Sequence, residues 1–464
     1  MLRLKAVLVN PPTTVDFETQ TTLGLKAPPL GLAYIAAVLE KAGITVTIID
    51  GGVSNISHRT LGKKLNSLNP DVIGITSMTP TIHDAIKSVI IAKENCPDAV
   101  TIMGGCHITA LPIETMAECP QIDIGVIGEG EETILDIFRK IIAGGSLAEV
   151  DGIAFREGSK VRLNRRRKLI ENLDAIPFPA RHLLPLNSYS LFGKRMPLGN
   201  IITSRGCPFQ CIFCSSAQFY GRVFRARSPD NVVDEMELLH EKYGMKAIEI
   251  VDDSFTVNKV RAAKIALEIA KRRLDVVWGF GSRADTITKE LLQTFKRAGC
   301  GMFYLGIESG SDRILKTLRK GITIEEIKRA LSWAKKAGVE TMGSFIIGVP
   351  GETRWDVLQT INFAKTCGVD FAQFTVMTPY PGTEVYEMAK REGLLVETDW
   401  SKYTTIRPVM KTNELTPQEI SKLIHMAYKS FYIRGNFFLQ QIKHKRINWL
   451  EPIIKHYFLK MKFS

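Results

Sequence analysis

Three closely spaced cysteines are the residues of this 464-residue chain best suited to chemistry. Cys207, Cys211 and Cys214 form a CxxxCxxC pattern within RGCPFQCIFC. Because the chain has only eight cysteines, chance gives this spacing in about a few of every thousand such sequences. Three neighbouring thiolates can bind three irons of a cubane cluster, whereas a structural zinc ion takes four ligands. The pattern therefore predicts a [4Fe-4S] cluster with one iron open, with three buried cysteines or a zinc knuckle as the alternative.

Parallel strands alternating with helices are predicted to position these cysteines. Short β-branched runs separated by helical patterns occur at 199–204, 246–252, 275–281, 301–308, 339–348 and 369–376. Six strand–helix units predict a partial (β/α)6 barrel, since a complete barrel has eight. The cysteines follow the first of these strands, at the edge where barrel enzymes carry their active sites.

A second α/β unit is predicted ahead of the barrel. Its short strands are predicted at 4–10, 45–50, 72–77, 100–104 and 122–127, with helical patterns between them. This alternation predicts a doubly wound parallel sheet, which binds ligands at the carboxyl ends of its strands. The sequence places Ser77, Gly104, Gly105 and Gly128 there. We therefore expect an edge of small residues with exposed backbone.

These patterns divide the chain into four parts. Residues 1–145 form the first α/β domain, and residues 146–195 form a hairpin and proline-rich linker. Residues 196–410 form the partial barrel, and residues 411–464 form a helical extension rich in basic and aromatic residues.

The cysteine pattern, with Phe213 before the last cysteine, resembles the CxxxCx(aromatic)C motif of the radical S-adenosylmethionine (SAM) superfamily over about 199–380. The resemblance implies that the open iron chelates SAM, and that an electron from the cluster cleaves SAM to a 5′-deoxyadenosyl radical. By position it also implies SAM-site residues at Phe213, Asp252, Asp253, Ser282, Arg283, Glu308 and Gly348. The residues themselves leave open helix capping for the three carboxylates and a surface ion pair for Arg283.

The first domain resembles the cobalamin-binding domain of one radical SAM subgroup over about 1–140, through segments such as DVIGITSMTPT and VIGEGEET. The resemblance implies a cobalamin site at Ser77, Gly104, Gly105 and Gly128. The Asp-x-His-x-x-Gly string that supplies a histidine ligand in many cobalamin proteins does not occur, so corrin is expected to bind without it. An empty domain that shapes the substrate tunnel is the alternative, and His83 and His107 are expected to be ordinary histidines.

Composition limits the remaining possibilities. Hydrophobic residues make up 45% and charged residues 23% of the chain, as in folded proteins. The sequence contains no uncharged apolar run of the length, about 18 residues, that a membrane-spanning helix needs, and its cysteine usage predicts a cytoplasmic protein. The other cysteines are predicted to pack in cores: Cys96, Cys106, Cys119, Cys300 and Cys367. No catalytic residue is assigned; Tyr304, Tyr380 and Cys300 are candidates by position, with packing as the alternative.

Much of the net charge of +13 lies in the C-terminal extension. From Lys429 onward, eight lysines and arginines face only Glu451, which gives +7. Aromatic residues are interleaved with them: Phe431, Tyr432, Phe437, Phe438, Trp449, Tyr457, Phe458 and Phe463. This mixture predicts peripheral contact with the inner face of a membrane. A helical cap on the barrel is the alternative, nucleic acid is disfavoured, and the charge run 165–168 is predicted to be solvated.

Together the resemblances imply an enzyme that uses a [4Fe-4S] cluster, SAM and cobalamin, with an electron donor such as flavodoxin or ferredoxin. They imply methyl transfer, or ring or carbon–carbon bond formation, on a small-molecule or lipid substrate of lipid, hopanoid or porphyrin type. GIESGSDRILKTLRKG also resembles tRNA methylthiotransferases, but the second cysteine triad of those enzymes does not occur. A non-catalytic iron–sulfur or corrin-binding protein is a further alternative.

Overall fold

The computed structural model of the chain describes residues 4–15, 26–54, 56–191, 194–195, 198–435 and 437. The strands are β1 Lys5–Asn10, β2 Thr45–Asp50, β3 Val72–Thr76, β4 Val100–Gly104, β5 Ile124–Val126, β6 Ile153–Glu157, β7 Lys160–Leu163, β8 Ser190–Leu191, β9 Lys194–Arg195, β10 Leu198–Ile201, β11 Ser204–Arg205, β12 Arg225–Ala226, β13 Ala247–Ile250, β14 Val277–Ser282, β15 Cys300–Glu308, β16 Glu340–Ile347 and β17 Phe371–Val376.

The α-helices are Leu30–Lys41, His58–Leu68, Ile82–Asn95, Cys106–Ala110, Pro112–Glu118, Glu131–Ala143, Ser216–Tyr220, Pro229–Tyr243, Lys259–Lys271, Lys289–Arg297, Asp312–Thr317, Ile324–Ala337, Arg354–Thr366, Glu384–Arg391 and Pro417–Tyr432. They alternate with the strands of both large sheets. Most consecutive strands are therefore joined through a helix, which is the usual connection between parallel strands.

The first sheet has the strand order β2-β1-β3-β4-β5-β6-β7. Strands β1 to β5 pair in parallel, which confirms the predicted doubly wound fold. Side chains of β1 enter two separate cores, Ala6 and Leu8 on one face and Val7 and Val9 on the other. Both faces are covered, which explains the continuous apolar runs in the sequence. The strand order reverses between β1 and β3, which opens a crevice at their carboxyl ends.

Strands β6 and β7 form the hairpin that the sequence analysis places in the linker. In the structure β6 pairs antiparallel with β5, so the hairpin extends the first sheet to Leu163. Ile153, Ala154 and Phe155 are buried in this pairing. The reason is physical: β5 would otherwise expose an unpaired row of backbone groups at the sheet edge.

The second sheet has the order β10-β13-β14-β15-β16-β17 and is parallel throughout, as predicted for the partial barrel. Alternate residues such as Phe303, Leu305 and Ile307 of β15 lie in one core with the helices. The side chains between them therefore lie on the opposite face of the sheet.

The helix Pro417–Tyr432 packs against the last strand of the second sheet. Phe431 and Phe437 are fully buried there, and the Tyr428 hydroxyl hydrogen-bonds to the Phe374 backbone N–H at 3.1 Å. These two phenylalanines therefore cap the barrel rather than contact a membrane. Tyr432, a further predicted membrane-contact aromatic, donates from its hydroxyl to the Ala372 carbonyl at 2.7 Å. The remaining five lie outside the described residues: Phe438, Trp449, Tyr457, Phe458 and Phe463. Within the described ranges, every helix is too short or too polar to cross a bilayer.

We expect Thr416→Ala to lower the free energy of unfolding by about 1 kcal/mol. Thr416 begins this helix with a capping box, in which its hydroxyl accepts from the Glu419 N–H and the Glu419 carboxylate accepts from the Thr416 N–H at 2.9 Å. Urea unfolding measures the change, with Gln418→Ala in the first turn as the control. Equal effects of the two variants would contradict the role of the cap.

Candidate functional site

The cysteine loop, residues 206–214, directly follows β11 at the carboxyl end of the first barrel strand. Gly206 has a positive φ of +82°, and a Cβ at this position would lie 2.3 Å from the Val223 carbonyl oxygen. Only glycine fits so close to the neighbouring segment. β11 pairs antiparallel with β12, so the entry to the loop is held by backbone hydrogen bonds.

The three thiols influence one another. Desolvation, and then the negative charges of Asp253 and Cys211, raise the pKa of Cys207, and desolvation raises the pKa of Cys214 to about 11. A cationic metal centre relieves this penalty because it binds the thiolate form. In the described part of the chain, no three His, Cys, Asp or Glu side chains converge on one metal ion. Three cysteines are one ligand short of a structural zinc site, whereas a cubane cluster takes three thiolates on three separate irons.

Arg283 packs on the cysteine loop. Its guanidinium carbon lies 3.6 Å from the centre of the Phe209 ring, and its Nη1 lies 3.8 Å from the Cys211 sulfur. The same side chain is buried and pairs with Asp285 at 3.0 Å. The predicted site residue therefore lies beside the thiols, and its ion pair joins a buried arginine to a half-buried aspartate.

Glu308 ends β15 with a left-handed φ of +67°, which is costly for a residue with a side chain. Its carboxylate accepts a hydrogen bond from the Lys320 ammonium at 2.6 Å, and both side chains are 7% exposed. The Lys320 nitrogen lies 6.0 Å from the Phe213 ring. Glu308 does not cap the next helix, which begins at Asp312 and has Ser311 as its N-cap residue. The structure thus links Glu308, Lys320 and Phe213 in one chain of contacts.

Asp252 and Asp253 follow β13 and have different surroundings. The buried Asp252 carboxylate accepts from the Thr203 N–H at 2.6 Å and from the hydroxyls of Thr203 and Ser204. It ties the ends of two strands together, and the helix that follows is capped by Asn258 instead. Asp253 accepts from Ser216 and lies near the thiols, and desolvation raises its pKa.

Ser282 belongs to a buried cluster of hydroxyl groups. Its Oγ lies 3.1 Å from the Thr286 hydroxyl and 3.5 Å from the Ser254 hydroxyl, and it also contacts Thr256. These contacts hold the carboxyl ends of β13 and β14 in register with each other.

Gly348 follows β16, and its backbone N–H donates to the Glu352 carboxylate at 2.7 Å. The Val349 N–H donates to the same oxygen at 3.1 Å. Glu352 is fully buried, and its second carboxylate oxygen has no hydrogen-bond partner within the described residues. Desolvation raises the pKa of Glu352 to about 8.

We expect the protein to lose stability as the pH rises towards 8 because of Glu352. Its pKa in the folded chain lies above the 4.5 of the free side chain, so folding favours the protonated form and stability falls with rising pH. Glu352→Gln mimics the protonated acid and removes this term, which is on the order of a few kcal/mol. Thermal unfolding at about pH 5 and about pH 9 measures it. Parallel pH curves for variant and wild type would contradict this assignment.

The small-residue edge (Ser77, Gly104, Gly105 and Gly128) lies at the carboxyl ends of β3, β4 and β5. The Ser77 N–H and hydroxyl both donate to the Gly104 carbonyl, at 2.7 and 2.9 Å. Gly105 has a φ of +109°, and a Cβ there would lie 2.3 Å from the Ser77 carbonyl oxygen. At Gly104 a Cβ would meet only Val126 at 4.0 Å, and at Gly128 only Phe219 at 3.7 Å. The backbone at Gly104 and Gly128 is therefore less closely covered by protein than the backbone at Gly105.

The two histidines near this edge are held by the protein. His107 is buried between the Thr79 hydroxyl, 3.2 Å from Nδ1, and the Trp400 ring, and desolvation lowers its pKa to about 4. His83 pairs with Asp399 at 3.4 Å. Cys106 is exposed beside Gly105, so its predicted packing in the core is wrong. It starts a helix at the turn out of the sheet, where its side chain leaves the core.

Buried ion pairs join the first domain to the entry of the cysteine loop. Arg205, two residues before Cys207, donates to Glu129 at 2.8 Å and pairs with Glu131. Arg225 donates to the same Glu129 at 2.8 Å. All four charged side chains are at most 8% exposed. The carboxyl edge of the first sheet is thereby fixed to the second domain.

The charge run 165–168 is less solvated than predicted. Arg165 pairs with Asp151 on the surface, but Arg167 is only 17% exposed and pairs with Asp136. Arg166 donates to the Gln218 backbone. The run therefore anchors the linker to both domains.

The face of the barrel sheet away from the helices carries polar and apolar side chains. The Tyr304 hydroxyl hydrogen-bonds to Gln373, and Glu249 lies on the same face between the core residues Ile248 and Ile250. Desolvation raises the pKa of Glu249. Tyr380, by contrast, donates to the Tyr403 carbonyl at 2.9 Å.

Sequence reasoning missed Phe209, Asp285, Lys320, Glu129 and Arg205. Lys320 follows a helix within an ordinary run of basic residues, so no spacing marks it. Glu129 follows Gly128 of the small-residue edge, and Arg205 precedes the cysteine loop. Their opposite charges are the one feature of the sequence that could have indicated contact between these two loops.

Comparison with known proteins assigns both domains. The family model of the radical SAM superfamily matches residues 201–364, and that of the B12 binding domain matches residues 20–138. The chain is 43% identical over 439 residues to an uncharacterized methyltransferase of Pyrococcus horikoshii, which covers 95% of each chain. It is 33% identical to the anaerobic magnesium-protoporphyrin IX monomethyl ester cyclase of Rubrivivax gelatinosus, over 88% of this chain and 74% of the cyclase.

The fold also matches a solved structure over nearly its full length. The radical S-adenosylmethionine methyltransferase TsrM from Kitasatospora setae, with cobalamin and a [4Fe-4S] cluster bound, has a TM-score of 0.74. The match has 18% identity and covers 94% of this chain and 90% of TsrM. With both family domains present and a relative 43% identical along 95% of its length, the chain belongs to the radical SAM enzymes that carry a B12-binding domain.

Proposed function

We propose that the chain binds a [4Fe-4S] cluster through Cys207, Cys211 and Cys214, SAM at the open iron, and cobalamin between its two domains. The observation that carries this proposal is that the carboxyl edge of the first sheet is fixed against the carboxyl edge of the barrel sheet. The cysteine loop of the barrel is held by buried ion pairs against the edge of the first sheet. A reaction that passes from one cofactor to the other needs such an arrangement, since reacting groups must lie close together.

The chain's own residues would hold the cluster and SAM in defined ways. The cysteine thiolates are the iron ligands, and Arg283, 3.8 Å from the Cys211 sulfur, supplies positive charge beside them. Asp253 lies near the Cys207 thiol, and the ammonium of the Glu308–Lys320 pair lies 6.0 Å from the centre of the Phe213 ring. These residues are proposed to contact SAM. When bound, the reduced cluster supplies the electron that splits SAM into methionine and a 5′-deoxyadenosyl radical. Asp252, Ser282 and Gly348 position the strand ends.

The substrate is proposed to have an apolar body with a polar group. Met302 and Met342 are partly buried against the barrel core, and Tyr304, the register partner of Met342, hydrogen-bonds to Gln373. The relatives named above include a methyltransferase and a porphyrin-ester cyclase. We therefore propose methyl transfer, or ring or carbon–carbon bond formation, on a lipid or porphyrin-type molecule, with flavodoxin or ferredoxin as the electron donor.

Methylthiolation of RNA has less support. It requires a second set of three cysteines, and the cysteines outside the cysteine loop show no such spacing: Cys96, Cys106, Cys119, Cys300 and Cys367.

Anaerobic purification after expression with added cobalamin tests the proposal. We expect about four irons and about one corrin per chain, and formation of 5′-deoxyadenosine or S-adenosylhomocysteine from SAM under strong reductant. Four irons without retained corrin would remove cobalamin from the proposal. A full cluster that cannot cleave SAM would overturn the proposed activity.

A further inference from the structure

The loop Gly128–Glu131 takes part in both proposed cofactor sites. It follows β5 at the small-residue edge, where the Gly128 N–H donates to the Thr109 hydroxyl at 3.0 Å. On its other side, a Cβ at Gly128 would lie 3.7 Å from the Phe219 carbonyl oxygen. Phe219 belongs to the short helix just after Cys214. The glycine end of this loop therefore lies between the edge of the first sheet and the segment that follows the cysteines.

The acidic end of the same loop holds the segment that precedes the cysteines. Glu129 accepts from Arg205 at 2.8 Å, and from Arg225 at 3.0 Å and 2.8 Å. Its second oxygen also accepts the Ile170 N–H at 2.9 Å. Glu131 pairs with the other Arg205 nitrogen. Two carboxylates and two guanidinium groups balance here, and burial shields them from salt.

Two ligands that stabilise the same conformation of one structural element are energetically coupled, so each raises the affinity for the other. A ligand on the backbone at Gly128 restrains Glu129, the next residue, and through it Arg205. We propose that Glu129 and Glu131 are positioning residues through which cobalamin binding stabilises the cysteine loop, and through which the assembled cluster tightens cobalamin binding. This inference rests on the proposed pair of cofactors and adds a dependence between them.

Iron loss from the cluster-loaded wild-type chain gives the first test. The protein is incubated anaerobically with a ferrous chelator, with and without hydroxocobalamin, and iron per chain is measured after gel filtration. We expect hydroxocobalamin to slow iron loss. The affinity of hydroxocobalamin, titrated by absorbance, is expected to fall at least about fivefold on removal of the cluster, the lower end of usual coupling between sites.

Substitutions in the loop test the residues. Glu129→Gln keeps the shape but leaves buried arginine charge unbalanced, so we expect the effect of hydroxocobalamin on iron loss to disappear. The Glu131→Gln variant keeps Glu129 paired with both arginines, so the effect of hydroxocobalamin on iron loss should be reduced but not abolished. It keeps the test decisive if the Glu129→Gln variant does not fold. Glu132→Gln is the matched control, because that side chain is 55% exposed and 3.7 Å from Arg167. Circular dichroism checks the fold of each variant.

Three results would count against the proposal, and they separate it from the proposed function. Equal iron loss with and without bound hydroxocobalamin in the wild type would overturn the coupling and leave both cofactors in place. A Glu129→Gln variant with the full wild-type effect would overturn the role of these residues. A wild-type chain that binds no hydroxocobalamin would overturn the cobalamin part of the proposed function, and the coupling with it.

Discussion

Cys211→Ala is expected to reduce the iron content of the purified chain to background and to lower reductive SAM cleavage by about a thousandfold or more, which corresponds to about 4 kcal/mol of barrier. The reason is that each thiolate of the cysteine loop binds a different iron, so no neighbour can replace it. Cys207→Ala and Cys214→Ala should have the same effect. Iron analysis and the yield of 5′-deoxyadenosine under dithionite measure the loss.

Cys367→Ala is the matched control for this series. Cys367 follows the helix Arg354–Thr366, is half-buried against the barrel core, and has its sulfur 3.8 Å from the Ala364 carbonyl oxygen. The Cys367→Ala substitution removes a thiol that lies outside the cysteine loop. If Cys211→Ala kept its iron and cleaved SAM as well as Cys367→Ala does, the cluster would have to lie elsewhere in the chain.

The sequence was sufficient to predict what depends on local pattern. The six strands of the barrel follow from β-branched runs at regular intervals, and the structure has strands within a few residues of each. The cluster ligands Cys207, Cys211 and Cys214 stay a prediction from spacing, because residues within one short loop can be recognised without knowledge of the rest of the fold. The edge at Gly104 and Gly105 follows from the rule that parallel strands end on the same side.

What could not be predicted depends on contacts between distant parts of the chain. Glu129 and Arg205 are 76 residues apart, and their pairing exists only because one domain docks on the other. The hairpin β6–β7 was assigned to the linker because its turn is visible in the sequence, whereas the free edge of β5 is not. Helix capping was the alternative for Asp252, yet its hydrogen-bond partners, Thr203 and Ser204, lie 48 or more residues away in the chain.

Glu308→Gln is expected to lower the free energy of unfolding of the iron-free chain by about 3–5 kcal/mol, because it leaves the buried Lys320 ammonium without its counter-charge. The two side chains are each 7% exposed and 2.6 Å apart. The Arg319–Glu384 pair, beside it in sequence, is more than half exposed on both sides. Glu384→Gln is therefore the matched control, with an expected loss of at most about 1 kcal/mol. Urea unfolding compares the two.

The double variant Glu308→Gln, Lys320→Met separates the ion pair from the site it supports. Removing both charges should recover most of the lost stability, because the penalty comes from the unpaired ammonium rather than from the missing attraction. SAM cleavage should not recover, since the double variant still lacks the Glu308 carboxylate and the Lys320 ammonium, which lies 6.0 Å from the centre of the Phe213 ring. Recovery of both would assign the pair to folding alone. Recovery of stability without activity would mean that Glu308, whose backbone has a strained left-handed φ at the end of β15, is maintained for the cofactor site.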